Sequence, residues 1–276
     1  MSGLDDNRLV RTFRELRSAG LTTLAPFLTA GFPDAETTVA LLHDFESRGV
    51  PVCELGIPFS DPIADGPTIQ SSFTRALEAG FTTADAMKLV RSYRDGGGNM
   101  SLVAMVSYSI VFRYDVQRFL AEAADVGFDG VLIPDSPLEE AGEFEPQAAD
   151  AGLANVMLIA PTTPPERRIE IAHHCRGFIY YVSVAGITGE RDKLPEATIA
   201  GVRELRNHTD TAICVGFGIS RPEMVRTVCQ VADAAIVGSA IVHRIADAME
   251  EGAPREEIVR RVGDFVSELI QPTLEE

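Results

Sequence analysis

Two carboxylates in one short segment are the residues of this sequence that point most directly to chemistry. Glu54 stands in the apolar run Val52–Ile57, which has the pattern of a buried strand, and Asp65 follows in a loop rich in glycine and proline. An ionised carboxylate that leaves water without a partner is strongly destabilising, and proteins keep such groups chiefly where proton transfer requires them. An internal ion pair is the alternative explanation for Glu54. The second carboxylate and the shaped loop before it favour acid–base catalysis.

The elements that must position these carboxylates alternate along the whole chain. Short apolar runs rich in β-branched residues predict strands, and near-continuous apolar strands between amphipathic helices are typical of a parallel sheet. The predicted strands are Leu24–Thr29, Val52–Ile57, Leu102–Ser107, Gly130–Pro134, Asn155–Ala160, Phe178–Ser183, Ala212–Val215 and Ala234–Val237. Helical periodicity between them is clearest at Thr37–Ser47, Ala84–Arg94, Val116–Ala124, Pro165–His174 and Arg221–Val231.

About eight strand–helix units in 276 residues predict the α/β fold class, and within it a (β/α)8 TIM barrel with an extra N-terminal helix. That helix, Leu4–Ala19, would cover the bottom of the barrel, and a last helix, Pro254–Ile270, would complete its outer ring. A doubly wound open sheet is the main alternative. Its first strand is usually followed by a glycine fingerprint, which Ala30–Asp34 lacks. No linker divides residues 1–276, so we predict a single domain.

The loops that follow the strands form the active face of such a barrel, and two of them are suited to binding phosphate. Gly218 lies after the seventh strand, and Gly238 and Ser239 follow the eighth, directly before a helix. Glycine lets backbone N–H groups approach an anion, and a helix N-terminus attracts negative charge. The two motifs together predict a phosphate site, against the alternative of simple turn glycines. The run Gly96–Asn99 leads into a strand, on the opposite face, and is predicted to be an ordinary turn.

The residue types that are missing from the strand ends narrow the reaction. All five histidines fall in helical segments, which argues against a metal site or a histidine-based triad. A Schiff-base aldolase needs a lysine on a strand, whereas Lys88 lies in a predicted helix and Lys193 in a loop. What remains is carboxylate acid–base chemistry on a phosphate-bearing substrate, without metal or cofactor. Apolar strand ends and two tyrosines suggest room for a flat aromatic body, although each alone is ordinary barrel core: Phe27, Leu132, Phe217, Ile236, Tyr108 and Tyr180.

The composition restricts the partners and the compartment. A formal net charge of -17 argues against binding nucleic acid or an anionic membrane, because both reward patches of lysine and arginine. The four cysteines show no CxxC spacing, which is typical of reduced thiols. The N-terminus lacks the apolar core of a signal peptide, and no apolar run approaches the length of a membrane span. These features predict a cytoplasmic protein.

The carboxylate segment and the glycine-rich loops recur together in one known family. In chain order the segments are Pro26–Pro33, Glu54–Gly66, Gly186–Gly189, Gly216–Ser220 and Gly238–Val242. They resemble the tryptophan synthase α subunit of the indole-3-glycerol-phosphate lyase family, and the resemblance covers essentially the whole chain. The departures are small: Cys53 stands where an aliphatic residue is usual, and Val184-Ala185 is one of several variants before the following glycine.

The resemblance implies a TIM barrel that cleaves indole-3-glycerol phosphate to indole and glyceraldehyde 3-phosphate in tryptophan biosynthesis. Glu54 would act as acid and then as base, and Asp65 would stay ionised and accept the indole N–H. Thr188 and Gly189 would lie in a lid, Gly186–Lys193, that closes over Asp65. The indole ring would be faced by three of the predicted lining residues, Tyr180, Phe217 and Leu132.

The resemblance also implies a partner, the tryptophan synthase β subunit, in an α2β2 heterotetramer. Pyridoxal phosphate would belong to that β subunit, and this chain would hold no cofactor. Pro58, Asp61 and Pro62, in the loop after the catalytic strand, would contact the partner. Two alternatives remain: a stand-alone lyase that releases free indole, and a non-catalytic barrel that activates a partner. The presence of both carboxylates argues against the second.

Overall fold

Eight parallel strands close into a barrel in a computed structural model that describes residues 4–63, 65–183, 194–216 and 218–274. Each strand pairs with the next along the chain, and the last pairs with the first, as predicted. The strands are β1 (Thr23–Thr29), β2 (Val52–Gly56), β3 (Ser101–Met105), β4 (Gly130–Leu132), β5 (Ala154–Ile159), β6 (Phe178–Val182), β7 (Ala212–Gly216) and β8 (Ala234–Val237).

Helices follow the strands and surround the barrel. In the described part of the chain they are α1 (Arg8–Ser18), α2 (Ala35–Ser47), α3 (Pro67–Glu78), α4 (Thr83–Asp95), α5 (Tyr108–Tyr114), α6 (Val116–Val126), α7 (Leu138–Asp150), α8 (Pro165–His174), α9 (Glu196–Arg206), α10 (Pro222–Cys229), α11 (Ser239–Glu250) and α12 (Arg255–Leu274). The extra N-terminal helix is present but begins later than predicted, because the Asn7 side chain caps it by accepting a hydrogen bond from the Val10 N–H at 3.2 Å.

Two apolar cores lie on the two sides of the strands. The outer core packs the helices against the barrel, and the inner core fills the barrel itself. Successive side chains of a strand point to opposite faces, and on β2 Val52 belongs to the inner core and Cys53 and Leu55 to the outer one. Glu54 therefore points into the barrel, opposite Phe27 of β1 in the strand register.

The bottom of the barrel is closed by α1. Its Leu9 and Phe13 enter the inner core, where the Phe13 and Phe178 rings lie 5.5 Å apart. Asp129, just before β4, accepts a hydrogen bond from the Leu102 N–H at 2.8 Å and pairs with Arg8 of α1 at 2.7 Å. The buried Asp129 carboxylate at this end is thus satisfied by the chain itself.

Candidate active site

A cavity of about 280 Å³ opens at the carboxyl ends of the strands. Its size is near the lower end of the range for small-molecule sites. Nine of the residues that the sequence indicated line it together: Phe27, Glu54, Asp65, Leu132, Tyr180, Gly218, Ile236, Gly238 and Ser239. They come from six different strands or the loops after them. Such convergence on one end of a parallel barrel is the usual arrangement of an active site in this fold.

Glu54 is the most unusual group in the cavity. Its side chain is only 1% exposed, and its Oε1 atom has no hydrogen-bond partner among the described residues. Burial, and secondarily the charge of Asp65, raise the pKa of this carboxyl to about 8. Glu54 is consequently a neutral acid at pH 7 that has a proton to give. Within the part of the chain that the structure describes, the ion pair considered as the alternative explanation is not formed.

Asp65 enters the same cavity from the loop that joins β2 to α3. The loop turns tightly there: the Asp65 N–H donates to the Pro62 carbonyl at 3.1 Å, and the Gln70 side chain donates to the Asp65 carbonyl at 2.8 Å. Burial raises the pKa of the Asp65 carboxyl to about 6, with a further contribution from the charge of Asp135. The site is less polar than the sequence indicated, yet Asp65 still ionises below neutral pH.

The two glycine-rich loops meet at one end of the cavity. Gly218 has φ +76°, a conformation that side chains other than glycine rarely adopt. Gly238 precedes α11, which starts at Ser239 without a side-chain cap. The N–H groups of Ile241 and Val242 donate to the Gly238 carbonyl, and the two residues that precede them in the helix, Ser239 and Ala240, line the cavity. Uncapped N–H groups and an open glycine corner can hold an anion without a cation.

The rest of the lining is apolar and includes residues that sequence reasoning missed. Met105 ends β3, Pro134 follows β4, Leu158 lies near the end of β5, and all three border the cavity beside Leu132 and Tyr180. Their positions in the sequence could have indicated them, because each lies at, near or just after the end of a strand. His243 was also missed: it lies on α11, one turn after Ser239, and is one of the five histidines that the sequence placed in helical segments.

The structure corrects the predicted role of Tyr108. Strand β3 ends at Met105 rather than at Ser107, so Tyr108 begins helix α5 and does not line the cavity. Its ring packs near Phe112, with the centroids 6.2 Å apart, and its backbone N–H donates to Asp135 at 2.8 Å. Three further predicted residues, Thr188, Gly189 and Phe217, lie outside the described residues, as does the predicted lid, Gly186–Lys193.

The loop predicted to contact a partner lies beside the cavity entrance. Pro58 is buried by the chain's own residues, so it offers no surface, whereas Asp61 is exposed and Pro62 half-buried. A smaller cavity of about 30 Å³ borders Asp61 and Pro62, and it shares Asp65 with the main cavity. The predicted partner contact of Pro58 stays a prediction. Asp61 and Pro62 remain available.

Among the described residues, no group of three or more histidine, cysteine, aspartate and glutamate side chains is placed to hold a metal ion. None of the described helices has the length and apolar character required to cross a membrane.

Comparisons with known proteins agree with one another. A sequence model of the family described as tryptophan synthase alpha chain matches residues 13–270. A tryptophan synthase alpha chain from Chloroflexus aggregans is 45% identical over 267 residues, which cover 97% of this chain and 98% of that one. The crystal structure of tryptophan synthase subunit alpha from Legionella pneumophila is similar with a TM-score of 0.87 at 33% identity, covering 97% and 98% of the two chains. A chain of the tryptophan synthase α2β2 complex from Pyrococcus furiosus gives a TM-score of 0.83 at 38% identity, covering 90% and 98%.

Proposed function

The chain belongs to the tryptophan synthase alpha chain family, and we propose that its cavity cleaves indole-3-glycerol phosphate with Glu54 as the proton-transfer group and Asp65 as the stabilising carboxylate. The products are indole and glyceraldehyde 3-phosphate. The observation that carries the proposal is the buried Glu54 carboxyl, which lines the cavity with an unpartnered oxygen and a pKa near 8. A buried acid without a structural partner is a group kept for chemistry.

The reaction moves one proton and breaks one carbon–carbon bond. Neutral Glu54 protonates C3 of the indole ring, which leaves a positive charge centred on N1. Ionised Glu54 then takes the proton of the hydroxyl on C3′. The O–H electrons form the aldehyde C=O, the C3–C3′ bond breaks, and its electrons restore the aromatic ring. Glu54 ends protonated, as it began, so the cycle closes without any cofactor on this chain.

Asp65 supports the step in which the ring is positively charged. Its carboxylate accepts the indole N–H and stabilises the charge on N1, which is greatest while the bond breaks. The two carboxyls have the right order of acidity for these roles, because Asp65 ionises above a pKa of about 6 and Glu54 stays protonated up to about 8. Environments that separate the pKa values of two neighbouring carboxyls are a common basis for distinct acid and base roles.

The glycine-rich end of the cavity is proposed to hold the phosphate. A chain with a net charge of -17 repels an anion over long distances, so local donors must bind it. Gly218, Gly238 and Ser239 surround the uncapped start of α11, and the helix dipole adds to their backbone N–H groups. The apolar side chains Leu132 and Tyr180 are left to contact the indole ring.

We further propose that this chain works as the α subunit of an α2β2 assembly with a pyridoxal-phosphate-dependent β subunit. The Pyrococcus furiosus relative carries the description of such a complex, and the exposed Asp61 beside the cavity entrance supplies a contact surface. The four cysteines are free thiols, which fits a reducing cytoplasm. A stand-alone lyase that releases free indole is the alternative, and it would not respond to a β subunit.

The test is an indole-release assay on the purified chain, with and without a tryptophan synthase β subunit. Glu54→Gln should lower turnover about 10²–10⁴-fold while the fold remains intact. Glu78→Gln, an exposed residue of α3, is the matched control and should behave as wild type. Near-wild-type turnover by folded Glu54→Gln would overturn the catalytic assignment. Cleavage that a β subunit does not accelerate would favour the stand-alone lyase.

A further inference from the structure

The described lining of the main cavity contains one side chain that can carry positive charge. That residue is His243; the other titratable residues along it are the acids Glu54 and Asp65, and Tyr180. A phosphate dianion entering this cavity therefore approaches two carboxyl groups in a protein with a net charge of -17. Backbone N–H groups offset only part of this repulsion, because each carries a partial charge. A positively charged side-chain donor at the phosphate end would offset the remaining repulsion.

Helix geometry places His243 beside the first turn of α11. Residues four apart lie on the same helical face, so His243 stands one turn beyond Ser239, and Asp247 stands one turn beyond His243. The His243 Nε2 atom lies 3.5 Å from the Asp247 carboxylate. No hydrogen bond is recorded for Nδ1 within the described part of the chain, and the side chain is 66% exposed at the cavity edge. The imidazole thus has a carboxylate on one side and the cavity edge on the other.

We propose that His243 is a phosphate-binding group of this cavity, donating a hydrogen bond to the substrate phosphate while Asp247 orients its ring. The inference rests on the proposed function, since it takes the phosphate end of the cavity as its premise. In the imidazolium form both ring nitrogens carry a proton, so Nε2 can donate to Asp247 while Nδ1 donates to the phosphate. His243 binds and positions, and it takes no part in the proton transfers of Glu54.

Two variants at this position test whether the charge of the side chain, rather than its size, binds the phosphate. His243→Gln keeps a side chain of similar reach but loses the charge, and His243→Lys keeps the charge. The full-length proteins are titrated with glycerol 3-phosphate and, separately, with indole, and the kcat and KM for indole-3-glycerol phosphate are measured. His208→Gln, an exposed histidine after α9, is the matched control. Thermal melting checks each fold, which an exposed side chain should not disturb.

We expect His243→Gln to weaken glycerol 3-phosphate binding about three- to tenfold and to raise KM by a similar factor, the range of a partly exposed charge-assisted hydrogen bond. Its kcat and its affinity for indole should be unchanged, and His243→Lys should restore phosphate affinity to within about twofold of wild type. Unchanged glycerol 3-phosphate affinity in His243→Gln would overturn the proposal. So would equal losses in both variants, or equal losses for indole and glycerol 3-phosphate.

The same measurements distinguish this proposal from the function on which it rests. A wild-type protein that binds glycerol 3-phosphate but does not cleave indole-3-glycerol phosphate would refute the proposed function and leave the phosphate site in place. A wild-type protein that cleaves the substrate, with a His243→Gln variant identical to it, would refute only the role of His243.

Discussion

Two carboxyl groups are buried at opposite ends of this barrel, and their surroundings differ completely. At the bottom, Asp129 accepts a backbone hydrogen bond from Leu102 and pairs with Arg8 and Arg94 at 2.7 and 3.0 Å. At the top, Glu54 has an unpartnered oxygen and faces a cavity. Burial raises the pKa of both, but only at Asp129 do two guanidinium groups and an N–H oppose the rise.

The comparison separates stability from chemistry within a single fold. Asp129 joins α1, α4 and the start of β4, and its loss would leave two partly buried cations without their partner. The Oε1 atom of Glu54 has no such partner among the described residues, so its proton is free to move during a reaction. Both groups are destabilised by burial. At the bottom of the barrel, ion pairs with Arg8 and Arg94 offset part of the cost of burying Asp129. At the top, the cost of burying Glu54 is not offset in this way, and it raises the pKa of that carboxyl to near neutral pH.

The largest effect on stability should follow the removal of the paired carboxylate. Asp129→Ala should lower the free energy of unfolding by about 3–5 kcal/mol, because Arg8 and Arg94 lose their partner in a buried setting. The control is Asp125→Ala, an exposed carboxylate paired with Arg91, which should lose less than about 1 kcal/mol. Denaturant unfolding measures both. Equal losses would mean that burial does not distinguish the two ion pairs.

At Asp65 we expect a loss of activity rather than a loss of stability. Asp65→Asn should lower kcat roughly 100-fold, with KM little changed, because the indole N–H gains most of its charge as the bond breaks. Steady-state kinetics with indole-3-glycerol phosphate provides the measurement, and unfolding curves should show no loss of stability, because the raised pKa of Asp65 means that its ionised form destabilises the folded protein. A raised KM with an unchanged kcat would instead make Asp65 a residue that binds the ground state.

Stability should also depend on pH through Glu54. The folded protein holds a proton up to a pKa of about 8, whereas the unfolded chain releases it near 4.5. The stabilisation that neutral Glu54 provides is therefore complete below the lower value and is lost as pH rises toward the upper one, by at most about 1.4 kcal/mol per pH unit. Glu54→Gln cannot titrate, so its advantage over wild type should grow across this window. A difference that stays constant with pH would contradict the raised pKa.

Much of this architecture was readable from the sequence. Buried strands and amphipathic helices leave periodic patterns, and those patterns predicted the eight strands, the closed barrel and the helix at its bottom. Glu54 was recognisable because a lone acid interrupts an apolar run. Strand ends leave a weaker pattern, and β3 ends at Met105, two residues before its predicted end, which moves Tyr108 out of the predicted site.

What the sequence could not provide are contacts between distant loops. Asp65 is half-buried where its loop borders the cavity, and its pKa is raised partly by Asp135, which follows a different strand. His243 joins the cavity only because α11 starts at Ser239. Each depends on tertiary placement that leaves no periodic trace. The predicted roles of Thr188, Gly189 and Phe217 stay predictions, since these residues lie outside the described part of the chain.

The smallest expected effect tests the influence of Asp135 on Asp65. The pH profile of kcat/KM should be bell-shaped, rising near a pKa of about 6 and falling near about 8. Asp135→Asn removes a negative charge and should move the rising limb to lower pH, by less than about one unit. The falling limb should not move. A shift of both limbs together would indicate a general change of the cavity.

The most direct test of the central claim is the titration of Glu54 itself. Carboxyl-labelled glutamate can be followed by carbon NMR as a function of pH, and the Glu54 resonance is assigned by its absence in Glu54→Gln. Our expectation is a carboxyl that remains protonated at pH 7 and titrates near 8. A Glu54 resonance that titrates near 4.5, the value of an ordinary glutamate, would contradict it and remove the basis for Glu54 as the proton donor.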